Sequence, residues 1–148
     1  MKRSLVIGTA VLATLLLGST VALAASPHIV GNPSTTVSGN SLILSASVAG
    51  LGNVSEVTFD LNGTVVVDSR CYTKSGNKPQ AANKHETIPV AQTETFPVRN
   101  GRTNATFTVT PLSTLRCPPG QNVVIESVTY DLDLIYEGTT LYAFTSAS

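Results

Sequence analysis

The sequence predicts an all-β protein, a single antiparallel β-sandwich held by one disulfide and preceded by a cleaved signal peptide. Three observations carry that expectation. First, Val57, Phe59, Leu61, Val65 and Val67 take alternate positions in V-T-F-D-L-N-G-T-V-V-V-D-S-R-C, with Gly63, Ser69 and Cys71 in the same phase, the period-two pattern of a strand with one buried face. Second, nothing beyond the leader has helical spacing, and Gly, Pro and Asn mark most junctions as turns. Third, the chain carries two cysteines, Cys71 and Cys117, and two cysteines in an exported chain imply one intramolecular bridge.

The export signal is read from residues 1–24. Lys2 and Arg3 form a positive start, Leu5 to Leu17 an apolar run, and Ala22-Leu23-Ala24 a small-residue cleavage site. Gly8, Thr9, Thr14 and Gly18 interrupt that run, which suits a leader better than a membrane span of about 20 residues. No cysteine follows the cleavage site, so no lipid attachment point is expected. Residues 25–148 are then one domain, secreted to an oxidising, extracellular compartment.

Losing Lys2 and Arg3 takes the nine cations to seven, against nine acids. That weakly acidic balance argues against nucleic acid or an anionic membrane as a partner. The cations Arg70, Lys74, Lys78, Lys84, Arg99, Arg102 and Arg116 fall mid-chain, whereas Glu126, Asp131, Asp133 and Glu137 lie near the end.

Residues 25–37, broken by Pro27, Gly31 and Pro33, read as an extended arm or an edge strand. Leu42, Leu44, Ala46 and Val48 alternate with Ser45 and Ser47 in a strand that ends at the turn Gly50-Leu51-Gly52-Asn53. Asn62-Gly63 would ordinarily close a two-residue hairpin. Such a turn would put Val65, Val67 and Cys71 on the polar face of Thr58 and Asp60, a slip that exposes the whole apolar set. A strand running straight through Gly63, with a bulge or kink, is therefore preferred to a three-residue loop.

Asn100-Gly101 passes the same face check. A two-residue turn there pairs Val98 with Thr103 and Phe96 with Ala105, and predicts a hairpin whose first strand, about 88–98, lies at a sheet edge because of Pro89 and Pro97. In the last long strand Val123 and Ile125 have one phase and Val128, Tyr130, Leu132, Leu134 and Tyr136 the other, which predicts a bulge near Glu126 or Ser127. After it, a three-residue loop is expected, since Glu137 would be strained at positive φ in a type I′ turn. Six or seven strands of this kind indicate immunoglobulin-like architecture. The sequence has no tryptophan, so the likeness to immunoglobulin domains is one of architecture.

Gly50-Leu51-Gly52-Asn53, the long strand ending at Cys71, the N-K-P-Q-A-A-N-K segment from Asn77 and Cys117-Pro118-Pro119-Gly120-Gln121 together resemble a family of small exported β-sandwich proteins of bacteria and some fungi. The resemblance covers most of the chain after the leader and implies secretion, a sandwich and a disulfide, but no reaction. Tyr72-Thr73-Lys74 departs from the Asn/Gly-rich turn that follows the first cysteine in that family.

Candidate binding residues are those of the long aperiodic segment after Cys71 and of the turn after Cys117, which the bridge brings alongside. They are Tyr72, Lys74, Lys78, Lys84 and His85, with Gln121 and Asn122. No catalytic residue is nominated. His85 and Glu86 are adjacent and so point to opposite sides of a strand, and no G-x-S-x-G turn accompanies the serines. Two cysteines without C-x-x-C spacing and two histidines, His28 and His85, do not make a zinc site. Asp131 and Asp133 are a weak calcium candidate, short of the six to eight oxygens calcium takes. No cofactor is expected. Asn53, Asn62 and Asn104 begin N-x-S/T sequons.

The expected function is that of a secreted, non-enzymatic module binding a surface ligand, such as a polysaccharide. Two alternatives stand beside it: a self-assembling structural subunit whose arm adds a strand to a neighbour, and an inhibitor acting through residues 73–85.

Overall fold

A computed structural model describes residues 26–76 and 82–146. The signal peptide expected at 1–24 and the candidate Lys78 lie outside the described residues. Seven strands form two antiparallel sheets. One has the order β1(His28–Ser38), β2(Ser41–Ala49), β5(Thr103–Val109). The other has the order β4(Asn83–Pro97), β3(Glu56–Thr73), β6(Gln121–Tyr136), β7(Thr139–Thr145).

Strand β3 is continuous over 18 residues, and both its neighbours keep register through Gly63. No bulge forms there. What Gly63 supplies is space: its φ is +146°, and a Cβ at this position would stand 2.0 Å from the carbonyl oxygen of Asp131 on β6. Alternation survives the glycine, so Val57, Phe59, Leu61, Val65, Val67, Ser69 and Cys71 are all buried.

Against this face pack Leu42, Leu44, Ala46 and Val48 of β2, Ala105, Phe107 and Val109 of β5, Leu132 and Leu134 of β6 and Phe144 of β7. Phe96 of β4 meets Phe107 across the two sheets at 5.4 Å between ring centres. The Tyr130 hydroxyl reaches Thr35 of β1 at 2.6 Å. Among the described residues no helix is long and apolar enough to cross a membrane.

Residues 28–38 are an edge strand paired to β2 in the same chain, one of the two forms the sequence allowed. Two expectations change. Asn100 and Gly101 do adopt positive φ, 52° and 70°, and Arg99 and Arg102 exchange both backbone hydrogen bonds across the turn. The ladder stops there, however, because β4 continues along β3 and β5 along β2. The turn passes the chain between sheets, and the apolar residues on either side face one core from opposite layers. Finally, Glu137-Gly138 closes a two-residue turn with Glu137 at φ 48°, pairing Tyr136 with Thr139. An irregularity opposite Leu134 and Ile135, with Leu141 as the extra residue, restores the phase of Tyr142 and Phe144.

The bulge in β6 falls where the alternating pattern breaks. Asp68 pairs with Ser127 and Ser69 with Ile125, leaving Glu126 as the extra residue. Beyond Asp131, β7 no longer covers β6, so among the described residues the stretch 121–129 has no strand on its outer side, and Val123 and Val124 are 39% and 38% exposed.

Adding a methyl group at Gly63 forces the β3–β6 ladder apart. Gly63→Ala is expected to lose about 3 kcal/mol or more in urea unfolding. Gly120→Ala, where φ is also positive but no atom lies within 4 Å of the added Cβ, should lose about 1 kcal/mol.

Candidate functional site

The predicted binding residues that the structure describes, all but Lys78, gather at the end of the fold where β3 terminates. Cys71 and Cys117 are bonded, with Cα atoms 5.6 Å apart. Closing this 46-residue separation stabilises by about 4 kcal/mol in the chain-entropy treatment. Several of the candidates prove to be strand residues. Tyr72 belongs to β3, Lys84 and His85 to β4, and Gln121 and Asn122 to β6, because β4 begins at Asn83, within what the sequence suggested was loop. Lys74 is exposed in the turn after β3.

The β6 bulge turns both Glu126 and Ser127 outward, and each meets a charged group on β3. Tyr72 donates its hydroxyl hydrogen to Glu126 Oε1 at 2.6 Å, while Arg70 Nε lies 3.4 Å from Glu126 Oε2. Ser127 donates to Asp68 Oδ2 at 2.8 Å, and His85 Nδ1 lies 2.7 Å from Asp68 Oδ1. These contacts hold the Asp68 carboxyl below its ordinary pKa, the His85 contact contributing most and Ser127 next. The residues surround a shallow concavity of about 340 Å³. The ionisable groups lining it already have partners: Arg70 with Glu126 and His85 with Asp68 within the lining, and Lys84 with Glu86, which lies outside it.

This is not the geometry of an activated nucleophile, which needs a hydroxyl on the histidine and the carboxylate behind it. Here the carboxylate sits between the other two. Among the described residues neither histidine ring contacts a serine hydroxyl, since His28 Nδ1 meets the carbonyl of Ser26. Asp131 and Asp133 stand on the outer face of β6 opposite Thr64 and Asn62, and among the described residues no group of three His, Cys, Asp or Glu could hold a metal.

A second polar cluster lies inside the same end. Glu86, facing inward from β4, accepts from the Thr114 hydroxyl at 2.6 Å, the Thr114 N–H at 2.9 Å and the Ser113 hydroxyl at 2.9 Å, with Lys84 Nζ at 3.0 Å. Ser69, 1% exposed, shares a 2.6 Å hydrogen bond with Ser113. Asn40 clasps Ser113 from the other sheet, accepting its N–H at 2.7 Å and donating to its carbonyl at 3.0 Å. The connection from β5 to β6 is thereby pinned to both sheets just before Cys117. These donors carry the Glu86 carboxyl down to about 2.

The opposite half of the molecule carries a feature that the sequence reading did not single out. On the outer face of the three-stranded sheet, two concavities of about 500 and 330 Å³ share Ser47 and Asn104 in their walls. They form one groove. Gly31, Asn32 and Pro33 bulge out of β1 opposite Ala46 alone and so raise one wall. The floor is a ladder of polar pairs, Ser45 with Thr106 at 3.1 Å and Ser47 with Asn104 at 2.6 Å. Arg99 and Arg102 close the end. The alternation of Ser45 and Ser47 gave the polar face, and the Asn100-Gly101 turn places Arg99 opposite Arg102. The bulge that turns a flat face into a groove leaves no sequence signal beyond Gly31 and Pro33.

No protein-family model, no curated protein and no solved structure matches the chain.

The depressed Glu86 pKa has a definite sign. The folded value lies below the unfolded one, near 4.5, so its stabilisation is complete above about pH 4.5 and is lost as pH falls toward 2. Glu86→Gln should be less stable at pH 7 by about 1–3 kcal/mol. Its urea midpoint should also fall less than that of the native protein between pH 4.5 and 2.

Proposed function

We propose that the protein is a secreted, non-enzymatic binding module with an immunoglobulin-like β-sandwich, and that it holds a polyhydroxylated ligand, a polysaccharide chain, in the groove on the outer face of β1, β2 and β5. The groove carries the reading: an open channel whose floor of hydroxyl and amide groups offers donors and acceptors at strand spacing. Sugars are recognised by such groups as well as by aromatic stacking, and among the described residues no aromatic side chain lines the groove. Binding then rests on hydrogen bonds and charge. The proposed site lies on the three-stranded sheet and not at the 73–85 and 117–122 loops, where the charges around the concavity are already matched.

Strand order supports the architectural part of the proposal. Three strands against four, with the fifth returning beside the second, follow an immunoglobulin-like path, although the fourth strand lies beside the third and not beside the fifth as in constant-type domains. The disulfide and the leader-like residues 1–24 support export.

A second reading, assembly with further copies, has one observation in its favour. Among the described residues no strand pairs with the outer side of β6 at 121–129, where Val123 and Val124 are exposed. Sedimentation of the native protein and of Val124→Lys decides it: a monomer in both removes this reading.

Affinity electrophoresis of the purified protein through gels containing neutral and acidic polysaccharides tests the main proposal. At least one polymer should retard it. Asn104→Ala should weaken that retardation about five- to tenfold, the worth of one or two hydrogen bonds. Free migration in every gel, or a variant that binds like the parent, overturns it.

A further inference from the structure

The end of the groove is built unlike the rest of it. Arg99 and Arg102 exchange backbone hydrogen bonds at 2.8 and 3.0 Å, so they are a directly opposed pair whose side chains rise from the same side of the turn, with Cα atoms about 5.5 Å apart in such pairs. Like charges directly opposed across two antiparallel segments are destabilising. Among the described residues neither guanidinium has a carboxylate partner, whereas Arg70, Lys84 and His85 at the other end each have one.

The turn that carries the pair is also held firmly. The N–H of buried Leu51 donates to the Gly101 carbonyl at 3.1 Å, and the N–H of Val98 to Ser55 at 2.8 Å. The Thr103 hydroxyl donates to the Pro97 carbonyl at 2.8 Å. The backbone beneath two like-charged side chains is therefore held in place at the mouth of a concavity, which lowers the ordering cost of binding an anion there. Guanidinium forks match carboxylate and sulfate oxygens in bidentate fashion.

We propose that Arg99 and Arg102 form an acid-recognition subsite, so that the ligand is an acidic polysaccharide bearing carboxylate or sulfate groups. This rests on the groove reading above and specifies its ligand: the hydroxyl ladder contacts the sugar backbone while the arginine pair takes one acid substituent. Val30 and Pro97, which also line this end, give the ring faces an apolar surface.

The test compares binding of polygalacturonate, dextran sulfate, neutral dextran and poly-L-glutamate to the native protein, to Arg99→Gln/Arg102→Gln and to the control Lys74→Gln/Arg116→Gln, whose cations lie at the disulfide end. One of the two acidic polysaccharides should bind at least tenfold more tightly than dextran, with affinity falling as salt rises, and which of them does so names the acid group. The arginine double variant should drop to the dextran level while melting no lower than the parent, since it relieves a repulsion. The control should bind like the parent, and Arg99→Lys/Arg102→Lys should recover only part of the affinity.

Four results overturn the proposal of an acidic polysaccharide held at this subsite. Dextran binding as tightly as the acidic polymers would leave the groove standing and remove the acid preference. Equal loss in the control would make the effect one of overall charge. Poly-L-glutamate binding as tightly as the acidic polysaccharide would make the ligand an acidic chain of any kind. Failure of all four polymers would remove the groove reading along with the subsite.

Discussion

The close approach of β3 to β6 at Gly63 is the constraint on which the rest of the fold depends. A side chain there would collide with the Asp131 carbonyl, so a break, bulge or displaced neighbour would have to intervene, and residues 65–71 would lose their place in the core. With hydrogen at that position β3 runs unbroken from Glu56 to Thr73 and fixes the register of β4 on one side and β6 on the other. It also delivers Ser69 and Cys71 to the rim of the core in the same phase as Phe59. Ser69 anchors Ser113 there and Cys71 bonds to Cys117, so one strand secures both the apolar layer and the long connection back from the other sheet.

Much of this was legible because alternation encodes face. The buried set of β3, the polar face of Ser45 and Ser47, the extra residue at Glu126 and the bridge between the cysteines all follow from phase or from residue type. What alternation does not encode is sheet membership. Phe96 and Phe107 fit a hairpin and fit two facing layers equally well, since in both arrangements they enter the same core. The choice is made by long-range pairing of β4 with β3 and β5 with β2. Glu137 illustrates a second limit: a positive φ is unfavourable for Glu by roughly 1–2 kcal/mol, yet the two-residue turn survives because the ladder on both sides of it outweighs a local penalty. The phase that a longer loop would have corrected is corrected instead at Leu141.

The candidate sites divide in the same way. His85 and Glu86 point to opposite sides of β4, as adjacent strand residues must, and each found a partner from another element: Asp68 for one, the Ser113-Thr114 segment for the other. Those partners are 17 and about 28 residues away in sequence, beyond the reach of any local pattern. The groove was legible in part, through its serine alternation and its Asn-Gly turn. Its depth comes from β1 leaving β2 for three residues, a consequence of edge position that a sequence pattern records only as an out-of-place glycine and proline.

The two ends of the molecule differ in how they treat charge, and that difference is the ground for proposing the site at one end and not the other. At the disulfide end Arg70, Lys84, His85, Asp68, Glu86 and Glu126 are cross-matched over β3, β4, β6 and the loop before Cys117. A ligand arriving there would have to displace interactions already made, and surface pairs of this kind return little when exchanged for others. At the opposite end, among the described residues, the two guanidinium groups have no carboxylate partners to give up, and the backbone beneath them is fastened by hydrogen bonds from Leu51 and Val98. An anion entering between them, as proposed, would relieve a repulsion as it formed its contacts, so the same Coulomb term that disfavours the empty pair would favour the occupied one.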